Sequence, residues 1–119
     1  MEDSIRISIK KLLNVSSDDT SFDEDITIAI NTCLMTLNQL GVGPEQTFVV
    51  TDDTQTWEDF LGDDYQDLQP VKTYVYMKTR LMFDPPQVSA VLAALKESIA
   101  EYEWRLNVAA DQRVYSMGD

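Results

Sequence analysis

Residues 68–86 read LQPVKTYVYMKTRLMFDPP, and the fold turns on how this stretch is read. Placed about 100° apart, as on a helix, Val71, Tyr74, Val75, Leu81 and Met82 share one face. Tyr76 and Phe83 lie on a second flank, and Met77 on a third. Only Thr73 and Arg80 mark a clearly polar strip. A helix that is apolar over most of its circumference must be covered on several sides. So short a chain has few helices to cover it with, and part of the cover is expected from another subunit. Tyr76 and Phe83 are candidates for that contact. Lys78 is a third, because it falls inside the apolar stripe between Tyr74 and Met82. Its ammonium must reach water along a packed stem or pair with a carboxylate of the same or another subunit, since a buried unpaired charge is too costly.

The ends of the stretch are marked. Pro70 falls in the first turn, where its missing N–H costs nothing. Asp67 suits the N-cap and the positive end of the helix dipole. Asp84-Pro85-Pro86 stops the helix, because the residue before a proline is pushed out of the α region.

Working outward, Ser21-Phe22-Asp23-Glu24 fits a capping box with Ser21 at the N-cap and Glu24 three residues on. The helix it opens carries Ile26, Ala29, Ile30, Cys33, Leu37 and Leu40 at helical spacing, with Ile28 and Met35 off that stripe. Gly41 ends it, followed by Val42-Gly43-Pro44. Before it, Ser4–Leu13 reads as a short helix with Ile5, Ile9, Leu12 and Leu13 on one side and Asn14 suited to the left-handed position after it. Downstream, Val88, Val91, Leu92, Leu95, Ile99, Tyr102 and Leu106 form one stripe of a helix from about Pro86 to Leu106. Trp104 falls nearly opposite that stripe, beside Ala93, Ala100 and Val108, and is an interface candidate. Residues 107–119 show no periodicity, and 108–119 are expected to be a mobile tail.

Between the second and third helical segments, residues 42–66 are acidic and weakly regular. Thr47–Val50 is short enough for an extended segment that could join a neighbour's sheet edge. Thr56-Trp57-Glu58-Asp59 fits a second capping box, with Gly62 ending a single helical turn. A connection of about 25 residues is long for an internal loop, which suggests a loop ordered by a partner. Asp52, Asp53, Trp57, Asp63 and Asp64 are its candidate docking or channel residues. Trp57 can equally be a plain anchor, and the aspartates plain solvated charge.

Charge and composition narrow the function. The 119 residues carry a net charge of −12 with no histidine and one cysteine, Cys33. Histidine-based catalysis, histidine zinc sites and intrachain disulfides are excluded. Cys33 lies in an apolar stripe and reads as a small core residue. No Lys or Arg occurs from Leu12 to Val71, a span with 13 Asp and Glu. That balance opposes a sequence-independent grip on DNA phosphates. The aspartate pairs do not have EF-hand spacing, and Gly41-Val42-Gly43 follows a helix rather than opening one, unlike a phosphate loop. No apolar run approaches a membrane span, and the acidic start Met1-Glu2-Asp3 does not open a signal peptide, so synthesis in the cytosol is expected. No cofactor or metal is called for, and no enzyme is expected.

PVKTYVYMKTRLMFDPP, with the later EYEWRLNV, resembles the small head–tail connector (adaptor, head-completion) proteins of long-tailed bacteriophages. TSFDEDITIAINTCLMTLNQLGVGP and TWEDFLG resemble the same family, in the same order. The similarity spans about Ile5–Val108 and is a pattern of helices and punctuation, not a catalytic signature. It implies a structural virion protein, assembled in the host cytoplasm and sited at the head–tail interface. The implied assembly is a homo-oligomeric ring, twelve-fold to match a portal. The ring would dock under the portal protein, meet the next tail-proximal connector (a stopper or tail-completion protein), and extend a channel through which DNA passes without specific binding.

The expected architecture is therefore one all-α domain over 1–119. It is a small bundle of three longer helices and one short N-terminal helix, with a long acidic loop between the second and third. The rival functional class is an acidic DNA mimic that inhibits a nucleic-acid-binding protein.

Overall fold

The computed structural model describes residues 4–44, 46, 48–62 and 68–117, with side chains through residue 111. Five helices follow one another: α1 (Ile5–Leu12), α2 (Asp23–Gln39), α3 (Trp57–Leu61), α4 (Leu68–Phe83) and α5 (Ser89–Met117). Among the described residues there is no strand, and the fold is all-α as expected. Asp63, Asp64, the expected cap Asp67 and Thr47 lie outside the described residues.

Two helices stop by the same device. After α1, Asn14 takes φ 63°. The Val15 N–H then bonds the Lys10 carbonyl at 2.9 Å and the Asn14 N–H bonds the Lys11 carbonyl at 3.1 Å. After α2, Gly41 takes φ 90°, with Val42 N–H on the Leu37 carbonyl at 2.9 Å and Gly41 N–H on the Asn38 carbonyl at 3.1 Å. Both are full Schellman motifs, which satisfy carbonyls the helix end would leave bare. Val42 and Leu37 are both buried, completing the apolar contact across the second motif.

The α3 capping box forms as read. Thr56 Oγ1 accepts from Asp59 N–H at 3.0 Å, and the Asp59 carboxylate accepts from Thr56 N–H at 3.0 Å. The expected box at α2 does not form. Phe22, not Ser21, is the N-cap, and no side chain caps it. Phe22 instead meets Phe83 edge to face, with centroids 5.4 Å apart. Asp23, Glu24 and Asp25 fill the first turn, where their charge suits the helix dipole and offsets the missing cap.

The core joins all five helices. Ile5 and Ile9 of α1, Ile26, Ile30, Cys33, Leu34 and Leu37 of α2, and Val71, Tyr74 and Val75 of α4 are essentially solvent-free. α4 packs against both α2 and α5 and also touches α1, so most of its cover comes from its own chain. Met77, on the third flank, is buried while Met82, expected in the main stripe, is 44% exposed. Met82 lies in the last turn of α4, beyond the reach of the core.

The acidic connection is largely built into the core. Val42, Val50, Trp57, Phe60 and Leu61 are all buried in the same cluster. Asn31 of α2 grips Val50 from both sides: its carboxamide accepts from Val50 N–H at 2.8 Å and donates to the Val50 carbonyl at 2.9 Å. Val50 therefore has no backbone groups left for a neighbour's strand, and the described residues 48–50 form none. Gly43, at φ 91°, lies so close to the Phe60 ring that a Cβ there would sit 2.6 Å from it. The described part of the connection, residues 42–44, 46 and 48–62, is thus packed onto its own chain.

α5 also departs from expectation. It begins at Ser89 and continues to Met117, so the aperiodic end is helix rather than a tail from residue 107. Leu106 and Ala110 are buried, and Asn107 Nδ2 donates to the Leu40 carbonyl at 3.2 Å, closing the end of α2. Among the described side chains of α5, Ile99, Leu106 and Ala110 are the buried ones, whereas Val91, and Val88 just before the helix, are open. The stripe is clean, but no residue from Ser89 to Ser98 is fully buried, and of these Leu95 packs partly against the core.

Candidate functional site

Three polar clusters and two apolar surfaces compete for a functional role, and geometry separates them. The first cluster centres on Lys10, whose side chain is only 2% exposed. Its ammonium donates to the Ser17 carbonyl at 3.3 Å, the Asp19 carbonyl at 2.8 Å and Asp23 Oδ1 at 2.6 Å. Three acceptors match its three donors. Arg6 stands beside it, with Nε 2.7 Å from Asp53 Oδ1 and Nη2 3.7 Å from Asp23 Oδ2. These groups tie α1 to α2 and to the acidic connection.

The second cluster sits where α2, α4 and α5 meet. Tyr74 donates to Glu103 Oε2 at 2.7 Å. Lys78 Nζ donates to the Tyr74 hydroxyl at 3.1 Å and to Thr36 at 3.2 Å, and lies 3.4 Å from Glu103. Burial, and then the adjacent Glu103 carboxylate, push the Tyr74 phenol well above its ordinary range. Nearby, burial raises the Cys33 thiol to about 11. A thiol so raised is a poor nucleophile at neutral pH. The third cluster is the turn at Asp52, whose carboxylate accepts from Thr54 N–H at 2.8 Å and from the Thr54 hydroxyl at 2.6 Å. Those bonds hold its carboxyl below the usual range and make an Asx turn.

All three clusters serve to hold the chain together. Among the described residues, no buried side-chain nitrogen or oxygen lacks a partner, and no group of three His, Cys, Asp or Glu converges as a metal site would require.

The apolar surfaces are different. A groove of 750 Å³ opens between the end of α1, the outer face of α2 and the end of α4. Leu13, Val15, Phe22, Ile28, Met82 and Phe83 wall it, and Asp25 and Asp84 rim it. Ile28 is 60% exposed. The second surface is the start of α5. From Ser89 to Ser98 no residue is buried, and Val88 and Val91 are 62% and 49% exposed. Apolar exposure of this kind on a filled core makes these two surfaces the candidates for contact with another macromolecule.

The sequence-read candidates fall on both sides of this division. Phe83 lines the groove, and Trp104 is 66% exposed, beside the exposed Arg105–Glu101 pair. Tyr76 is half-buried against the core, and Lys78 is taken up by Tyr74, Thr36 and Glu103 of its own chain. Trp57 is buried, with Nε1 donating to Ser8 Oγ at 2.8 Å, so it anchors the connection and offers no outward surface. Asp53 is paired to Arg6, and Asp52 is spent on its turn. The groove itself was not legible as a unit. Its trace in the sequence was Ile28, an apolar residue off the buried stripe of α2.

No helix among the described residues is long and apolar enough to cross a membrane. No curated protein and no solved structure matches the chain significantly. A family model described as phage connector protein matches residues 6–113, most of its length. The all-helical fold and the exposed apolar surfaces agree with that match. The chain belongs to the phage connector protein family, structural proteins of the virion's head–tail junction.

Proposed function

We propose that this chain is an adaptor subunit. Copies of it form a ring, twelve-fold to match the portal, between the portal protein and the next tail-proximal connector. The ring extends the DNA channel. Its work is oligomerisation and docking, and it needs no chemistry.

The observation that carries this reading is the start of α5, a helix with an apolar stripe and no buried residue over its first ten positions. A monomer that filled its core and worked alone would gain nothing from that exposure. Trp104 lies on the same helix and is the candidate for a second contact, with the portal or the next ring. The acidic excess suits a conduit, because cationic walls would bind phosphates through counterion release, while acidic walls repel them over about 10 Å at 0.1 M salt.

The DNA-mimic reading needs free surface carboxylates in quantity. Asp23, Asp53 and Glu103 are instead paired within the chain, and Asp59 is committed to the α3 cap. These four are a minority of the 21 acidic residues, so what favours the adaptor over the mimic is the exposed apolar start of α5.

The test uses DNA-filled heads of the cognate phage that lack this protein. Purified chain should bind them at the portal vertex alone and restore tail joining. Binding spread over the capsid, or tail joining that is normal without the chain, would overturn the adaptor reading.

A further inference from the structure

We propose that the groove between α1, α2 and the end of α4 receives the first turns of α5 from a second copy of this chain. This names the contact within the ring reading above and rests on it.

Shape is the first argument. Val88, Val91, Leu92 and Leu95 follow one another at helical spacing and make a convex ridge about 10 Å long at 1.5 Å per residue. Val88 and Val91 are exposed, and Leu92 and Leu95 are half-buried. The groove is concave and apolar, and none of the described residues lining it comes from α5. The chain thus presents a ridge and a hollow as two separate surfaces.

Charge is the second. Among the described residues lining the groove, the charged ones are Asp25 and Asp84, both acidic. The groove also ends at the C-terminal end of α4, the negative end of that helix's dipole. The α5 start is the opposite. No acidic residue occupies its first turn, its free N–H groups are the positive end of a 29-residue helix, and Lys96 follows directly after Leu95. Ridge and hollow therefore match in polarity as well as in form.

A contact between two different patches is heterologous and propagates from copy to copy, closing into a ring when the rotation allows it. A ridge of about two turns buries less surface than a stable free dimer needs. The contact should therefore be weak in solution and be reinforced when copies are held side by side.

Cross-linking tests this without requiring a stable oligomer. Ile28→Cys and Val91→Cys are made separately in the full chain and mixed at millimolar concentration under mild oxidation. Both positions are exposed, and the native Cys33 is buried. The mixture should form disulfide-linked pairs at least about fivefold faster than either variant alone, because docking raises the local thiol concentration. A mixture of Glu58→Cys with Val91→Cys, which places the first thiol at an exposed position of α3 away from the groove, sets the background. Should Ile28→Cys melt early, Met82→Cys supplies the groove thiol instead. Equal rates for the mixture and the background overturn the proposal. So does a preference for Val91→Cys pairing with itself, which would mean a symmetric α5 contact. If wild-type chain still binds only the portal vertex in either case, the adaptor reading stands and this contact alone is wrong.

Discussion

Replacing Asn31 with alanine tests whether the acidic connection is held from within. Asn31 forms two hydrogen bonds with Val50, at 2.8 and 2.9 Å, and Val50 is 1% exposed. Each bond contributes a net ~1 kcal/mol, and each buried backbone group left without a partner costs ~1–3 kcal/mol. Asn31 is itself only half-buried, so water entering the vacated space recovers part of that loss. The sum is about 2–4 kcal/mol, against a total stability of roughly 5–15 kcal/mol for a domain of this kind. It should lower Tm by roughly 10 °C, measured by circular dichroism beside Gln39→Ala, an exposed control on the same helix. Amide exchange at Phe48–Val50 should rise at the same time. Asn31→Asp sharpens the test. A carboxylate there can accept from the Val50 N–H but repels the Val50 carbonyl, whereas its protonated form can donate. Relative to wild type, that variant should regain stability as pH falls. If Asn31→Ala melts within about 2 °C of wild type and Val50 exchange is unchanged, the connection is held by something else, and the case that it is ordered without a partner fails.

The remaining predictions concern the core and its titrations. Val75→Ala, at a solvent-free position, should cost ~1–3 kcal/mol in urea unfolding, while Met82→Ala, at the groove edge, should stay within ~0.5 kcal/mol. The Cys33 thiol should resist thiol reagents in the native state at pH 8 and react fully once the chain unfolds. Because folding raises the Cys33 pKa to about 11, stability should hold below pH 9 and fall as pH rises from there toward 11, since only the unfolded thiol ionises in that window. Tyr74, raised in the same direction, extends the loss to higher pH. Flat stability from pH 8 to 11 would contradict both assignments.

Local signals carried the helices, and long-range pairings were invisible. Asn14, Gly41 and the Thr56 box could be read because each acts on its own few residues. Ser21 misled because its rival claim was distant: Phe22 is drawn to Phe83, sixty-one positions away in the chain, and the helix starts there instead. The α2 stripe was legible except for Leu34, which is buried by the connection folding over α2 and not by the bundle alone. Residues 42–62 looked loose because their order comes from Asn31, Ser8 and Arg6, none of which leaves a periodic trace. The end of α5 looked like a tail because its anchors beyond Leu106, Asn107 and Ala110, are too few to extend the stripe. On the functional side, the exposure of Trp104 was legible from helical phase. The groove was not, because it exists only where the ends of α1 and α4 meet the outer face of α2.

Lys10 deserves comparison with a bound ion. Small domains often staple an irregular loop with calcium or zinc, and they lose that loop when a chelator removes the metal. Here a side-chain ammonium gathers two backbone carbonyls and a carboxylate around the turn from Ser17 to Asp23. The cation is covalently attached, so dilution and chelation cannot strip it. Being almost sealed from solvent, it is also screened little by salt. A particle that must survive outside its host, in media of uncontrolled ionic content, has in this residue a staple that needs no supply from its surroundings.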